Sequence, residues 1–245
     1  MTGTMNARNQ RLCIICGPLV MVVFTIAFWF VAGMIPPPPP GTPVAELAAF
    51  YSDNQTRIRV GLVIAMLGAG LAMPFPVPVM MQMRRIEGAT SLGYVQLIGG
   101  LFNTPLFVLP WFAMAAATYR PMNRVPEVTQ ALSDLGWLTL VGFGAPAIFQ
   151  TIFIGLAVFS DRRPEPVYPR WFGYFNFWCA LLFMPGLLVI CFHDGPFAYN
   201  GIFAFWVPLA VFTLWFLVTA YVTFGAIRQE EQEELAASAN VAVAP

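Results

Sequence analysis

Six long apolar stretches, almost free of charge, constrain this chain more than any other feature of its sequence. They cover residues 12–35, 58–83, 92–117, 135–159, 172–192 and 202–227, and Arg59 is the one charged residue inside these limits. A helix that crosses the hydrocarbon layer needs about 20 predominantly apolar residues. The sequence therefore predicts an all-α integral membrane protein, a bundle of about six transmembrane helices.

The composition supports a membrane location. Of the 245 residues, 58% are hydrophobic and 10% are charged, whereas a soluble domain carries about 25% charged residues. The formal net charge is zero, which predicts no nucleic-acid partner and makes the lipid bilayer the expected surrounding. All twelve basic residues are Arg, a bias typical of a high-GC bacterial genome. We therefore expect a multi-pass protein of the bacterial inner (plasma) membrane.

The distribution of Arg predicts the orientation. If residues 1–11 lie in the cytoplasm, eight Arg fall on the cytoplasmic side and four, including Arg120 and Arg124, on the outer side. Cytoplasmic loops carry the excess of basic residues, so both termini are predicted to be cytoplasmic. Residues 12–227 form the predicted transmembrane domain. Residues 228–245 form an acidic, partly disordered tail, whose glutamates we expect to be a solvated face.

Two outer loops show a helical spacing of apolar residues after a proline. In the first, Val44, Leu47, Ala48 and Tyr51 follow Pro43, and in the second, Val128, Ala131, Leu132 and Leu135 follow Pro126. Spacing of this kind is typical of an amphipathic helix. Each loop is therefore predicted to contain a short amphipathic helix on the membrane surface.

The residue types needed for several chemistries are missing. The chain has one His and none of the motifs of zinc peptidases, serine hydrolases or nucleotide-binding loops,. The spans contain no acidic residue, although proton-driven transport normally needs ionisable groups within the membrane. Cys13 and Cys16 have the spacing of a redox pair, but a pair within the membrane lacks an accessible thiolate. We expect apolar filler there, no metal and no cofactor.

Neutral polar residues within the spans have two interpretations. Asn103, Gln150 and Asn176 lie in three different spans. Such side chains commonly form hydrogen bonds between helices, which is the default interpretation. The alternative is that the three line a site for a neutral ligand.

The second span contains three alternating prolines. Pro74, Pro76 and Pro78 cannot donate hydrogen bonds to the carbonyls four residues earlier, those of Gly70, Ala72 and Pro74,. In lipid those carbonyls need other partners, so residues 70–78 are predicted to be irregular and to face the bundle interior. Broken helices bind substrates in several transporters. These five residues are therefore ligand-binding candidates, and a helix that ends early is the alternative.

A polar turn connects the last two spans on the predicted outer side. It contains the lone His193 beside Asp194, and Asp134 lies in another outer segment. A nearby carboxylate raises the pKa of histidine, so a pH-sensitive contact is one interpretation. A solvated turn is the other.

Three hypotheses about function follow from these observations. The first is a non-catalytic membrane subunit, scaffold or accessory component, in a homo-oligomer or with a membrane protein partner. The second is a carrier or binder of a neutral hydrophobic small molecule. The third is a membrane enzyme that acts on a lipophilic substrate through the outer-face residues.

Overall fold

The structure, a computed structural model, describes residues 2–120 and 125–243. All regular elements within these ranges are helical. Six segments are long and apolar enough to cross a membrane, which confirms the predicted fold class of a multi-pass helical membrane protein. These segments, numbered below as the first to the sixth span, are Asn6–Val31, Gln55–Met83, Thr90–Tyr119, Pro126–Ser160, Arg170–Cys191 and Gly195–Ala239.

Nine α-helices build these spans and one outer loop. They are α1 (Thr2–Phe24), α2 (Val44–Asp53), α3 (Gln55–Ala69), α4 (Pro76–Met83), α5 (Thr90–Tyr119), α6 (Pro126–Gly142), α7 (Ala145–Ser160), α8 (Arg170–Leu187) and α9 (Val207–Val243). Helix α1 packs along α9, and α7 packs along α8. Residues 121–124, with the predicted outer Arg124, and residues 244–245 of the tail lie outside the described ranges.

Four of the spans depart from regular α-helix. The first ends in a π-helical segment, Thr25–Val31, and the sixth begins with another, Ile202–Trp206. The second span is interrupted between α3 and α4, where Gly70–Ala72 is a 3-10 turn. The fourth is interrupted between α6 and α7, next to Gly144.

The interruption of the second span lies where the prolines predict it, but its details differ. The amide of Met73 donates to the carbonyl of Gly70 at 3.2 Å, and the amide of Val77 donates to that of Pro74 at 3.2 Å. Two of the three carbonyls predicted to lose their helical partners thus have near neighbours along the chain instead. Gly70 is also exposed on the outside of the bundle, so the expectation that the whole segment faces the interior was wrong.

The two predicted surface helices have different outcomes. Helix α2 exists, and its Leu47 and Tyr51 are buried against the bundle, where α2 packs on α6. Pro126 also begins a helix, but that helix continues without interruption to Gly142. The second surface segment and the start of the fourth span are therefore one helix, because nothing breaks the backbone before Phe143.

A polar network joins the spans at the end of the bundle that holds both termini. Gln82 is fully buried, and its amide donates to Gln10 at 2.8 Å and to Glu230 at 2.7 Å. Glu233 accepts from Arg85 at 3.0 Å and from Arg163 at 2.6 Å. Glu231 pairs with Arg11. The expectation that these glutamates are merely a solvated face was wrong, because basic and amide groups of three other segments converge on α9.

Two Arg at the opposite end bind helix carbonyls. Arg57 donates to the carbonyl of Val31 at 3.1 Å, at the end of the first span. Arg59 donates to the carbonyls of Thr118 and Tyr119, at the end of the third. The last carbonyls of a helix have no partner within it and carry partial negative charge. These two Arg therefore satisfy helix ends, which is a structural reason for positive charge on the predicted outer side.

Candidate functional site

A cavity of about 100 Å³ lies among five of the six spans. Every described residue of its lining is apolar, so the wall offers side-chain carbon and sulfur and no side-chain oxygen or nitrogen. The lining consists of Met21 and Phe24 from the first span, Phe107 from the third, Leu140, Val141, Gly144 and Ala147 from the fourth, Phe183 from the fifth, and Ala204, Phe205, Pro208, Leu209 and Phe212 from the sixth.

Helix irregularities meet at this cavity. The π-helical segment of the first span begins directly after Phe24, and that of the sixth contains Ala204 and Phe205. The interruption of the fourth span falls between Val141 and Ala147. Regular helices pack by interdigitating evenly spaced side chains, and a π turn or a break disturbs that spacing. The gap therefore has an origin in the backbone, and π segments are frequent at functional sites.

Aromatic rings make up much of the wall. Phe107 and Phe212 lie 5.7 Å apart between ring centroids, and Phe183 and Phe212 lie 5.5 Å apart. Behind them, Trp111 stacks on Phe24 at 6.2 Å. Ring pairs at such separations add attraction beyond burial alone, so the wall is held in place by its own contacts.

Two indoles near the cavity have unpaired hydrogen-bond donors. The Nε1 atoms of Trp111 and Trp137 are buried and find no acceptor among the described residues. Both rings contact Phe28, at centroid distances of 6.3 Å and 5.7 Å. An unpaired buried donor costs free energy, so these two groups mark the aromatic cluster as a place where polarity is not fully satisfied.

The structure brings two of the three predicted polar residues together. Asn103 donates to Gln150 at 2.8 Å, and both side chains are buried. Asn176 makes its contacts elsewhere, since it accepts from the indole of Trp215 at 3.0 Å and donates to the carbonyl of Phe172 at 2.8 Å. The three side chains therefore make no shared hydrogen-bond network, and their binding role stays a prediction.

Sequence reasoning missed Gln96, which extends the Asn103–Gln150 pair. Its amide donates to the carbonyl of Pro76 at 3.0 Å, and Gln150 approaches it at 3.4 Å. Gln96 precedes Asn103 by two helical turns, so the spacing on one face of α5 was a signal for it. The chain of amides connects the second, third and fourth spans, and it pairs one carbonyl of the proline segment.

The proline segment itself lies away from the cavity wall. Pro76 and Pro78 are buried, and Pro76 packs so closely on Gly100 that a Cβ there would lie 2.6 Å from the ring. None of the candidates Gly70, Ala72, Pro74, Pro76 and Pro78 belongs to the described lining. A binding role for these residues stays a prediction, and their contacts are those of helix packing.

The outer-face candidates are partly gathered. Asp134 and His193 interact electrostatically, whereas Asp194 is exposed beside them in the chain. Next to Asp134, the hydroxyl of Tyr51 donates to Ser133 at 3.0 Å in a fully buried pair. Burial raises the pKa of Tyr51 to about 12, so the phenol stays protonated at neutral pH and serves as a hydrogen-bond donor.

Two further observations concern cofactors and relatives. Within the described residues, no three His, Cys, Asp or Glu side chains are grouped so as to hold a metal ion. Comparisons of the chain with protein-family models, with curated proteins and with solved structures give no match.

Proposed function

We propose that this multi-pass membrane protein is a non-catalytic binder of a neutral hydrophobic small molecule, and that the aromatic cavity is the binding site. The observation that carries the proposal is an apolar cavity formed where two π-helical segments and a helix break converge. Ligand sites are typically concave and mostly apolar, and bundles often place them between helices.

The lining defines the chemistry of the ligand. A charged group would lose its hydration without finding a partner, because the wall has no polar side chain among its described residues,. The volume of about 100 Å³ is comparable with an apolar cavity of about 150 Å³ that binds benzene. We therefore expect one ring or a short hydrocarbon segment of the ligand to occupy it.

Filling the cavity tests the proposal. Ala147 lines it, whereas Ala145 lies on the same helix and is exposed on the outside of the bundle. Both are replaced by Leu, each protein is purified in detergent, and retained molecules are extracted with organic solvent for mass spectrometry. We expect an apolar compound to copurify with the wild type and with Ala145→Leu, and to be lost from Ala147→Leu. Equal amounts of that compound in the two variants would contradict the proposal, and so would its absence from the wild type.

The other two hypotheses stay predictions. An accessory role would be supported by copurification of one fixed partner protein. A membrane enzyme would be supported if His193→Ala removed a cellular activity without lowering protein abundance, since His193 and Asp134 interact on the outer side.

A further inference from the structure

A second, larger concavity lies at the end of the bundle that holds the termini. Its volume is about 530 Å³, and it runs between the start of the fifth span and the end of the sixth. We call it the interfacial groove. Its walls include Trp171 from α8 and Tyr221, Gly225 and Arg228 from α9. It is separate from the aromatic cavity, with which it shares no lining residue.

The face of α9 in this groove is built to receive an elongated group. Tyr221, Gly225 and Arg228 follow one another at the i, i+4, i+7 spacing of one helix face,. A Cβ placed on Gly225 would meet no atom within 4 Å, so the groove floor is open at its middle. Val222 and Ala226 are buried on the adjoining face and make the back of the groove apolar.

The groove lies at the depth of a membrane interface. Arg228 is the first charged residue after the apolar stretch of the sixth span. Trp171 and Tyr221 are 49% and 76% exposed, as expected for rings in the aromatic belt at the edge of a bilayer. One end of the groove is therefore at headgroup level, and the other extends towards the hydrocarbon.

The charge of Arg228 is not neutralised within the protein. At the same end of the bundle, Arg11, Arg85 and Arg163 pair with glutamates of α9. Arg228 takes part in none of the ion pairs formed among the described residues, and it is the only charged group in the groove's described lining. A guanidinium binds phosphate oxygens in a planar, two-pronged geometry.

We propose that the interfacial groove binds one anionic phospholipid. The headgroup phosphate pairs with Arg228, and an acyl chain passes over Gly225 along Tyr221. Basic pockets between transmembrane helices bind anionic headgroups in this way. In the predicted orientation, the groove faces the cytoplasmic leaflet, where anionic lipids supply negative surface charge.

The test uses the purified full chain and native mass spectrometry. The probes are dioleoylphosphatidylglycerol, which is anionic, and dioleoylphosphatidylcholine, which is zwitterionic and has the same acyl chains. Arg228→Gln removes the charge, and Gly225→Leu fills the open floor without changing charge. Arg84→Gln is the matched control, because Arg84 is an exposed Arg near the same end but outside the described lining.

We expect tighter binding of the anionic lipid by the wild type and by Arg84→Gln. Arg228→Gln should bind it about fivefold more weakly, which corresponds to about 1 kcal/mol for one basic residue at a membrane surface. Gly225→Leu should weaken binding of the same lipid while leaving the charge intact, and inorganic phosphate alone should not displace it. Equal affinities of Arg228→Gln and Arg84→Gln would overturn the proposal, as would equal affinities of the wild type for the two lipids.

Discussion

Gly17 in α1 is the position where we expect the smallest substitution to have the largest effect. Its backbone packs directly on the ring of Phe75, at the interruption of the second span. A Cβ on Gly17 would lie 2.2 Å from Phe75 Cδ2 and 2.7 Å from Phe216 Cδ1. The first distance is more than 1 Å short of 3.4 Å, where ordinary van der Waals contact begins. Gly17→Ala therefore requires Phe75 or α1 to move.

Movement of Phe75 is costly because its ring is buried among other rings. Its centroid lies 4.7 Å from that of Phe216 and 5.5 Å from that of Trp215. Overpacking of a core costs about 1–3 kcal/mol, and so close a clash with a confined ring belongs at the upper end. Alanine offsets about 1 kcal/mol of this through its better helix propensity than glycine. We expect Gly17→Ala to lower the free energy of unfolding by about 2 kcal/mol.

The measurement is reversible unfolding of the purified protein in mixed micelles, followed by helicity and by tryptophan fluorescence. Gly225→Ala is the control, since its added methyl meets no atom within 4 Å and should be neutral or stabilise by up to about 1 kcal/mol. Phe75→Leu is a second background, in which the shorter and more flexible side chain should reduce the cost of Gly17→Ala.

Residue 17 also precedes Pro18, and a side chain before proline disfavours the helical conformation,. The Phe75→Leu background separates the two effects, because only the clash depends on the ring. If Gly17→Ala and Gly225→Ala changed stability equally, the close packing of α1 on Phe75 would be refuted. An identical cost of Gly17→Ala in both backgrounds would instead assign the effect to Pro18.

Two other predictions address the outer end and the orientation. Tyr51→Phe should lower stability by about 1 kcal/mol at neutral pH, because Ser133 loses a buried hydrogen-bond partner,. Burial raises the pKa of Tyr51 from 10.0 to about 12, so its contribution is complete below pH 10 and falls as the pH rises towards 12; unfolding curves of both proteins across this range should converge at the alkaline end, and curves that stay parallel would contradict this. Reporter fusions after Arg85 should indicate the cytoplasm and fusions at Gly195 the outside, whereas the reverse pattern would refute the orientation derived from the Arg count.

The predictable part of the fold follows from local properties of the chain. Hydropathy over about 20 residues identifies a span, and it found all six segments that the structure shows as long apolar helices. Proline acts on its own backbone, so the interruption of the second span near Pro74 and the start of α6 at Pro126 were also predictable. The repair of the Gly70 carbonyl by a 3-10 hydrogen bond was not, because it depends on how the freed backbone relaxes.

The candidate site was not predictable in the same way. The cavity depends on side-chain volumes from five spans and on π-helical segments such as Thr25–Val31, for which the sequence carries no proline or glycine signal. Polar residues attracted attention instead. Asn103 and Gln150 do meet, whereas Asn176 pairs with Trp215, since spacing along one helix does not say which neighbouring helix faces it.

By itself, the sequence determined that this chain spans a membrane, about how many times it does so and where its backbone must bend, because burial in lipid and proline geometry act over short distances along the chain. Only the tertiary structure decided which groups meet. The glutamates of α9 pair with Arg11, Arg85 and Arg163, while Arg228 on the same helix keeps its charge for the interfacial groove. The physical reason is that ion pairs and cavities form between residues far apart in the sequence, and their partners are set by the packing of whole helices.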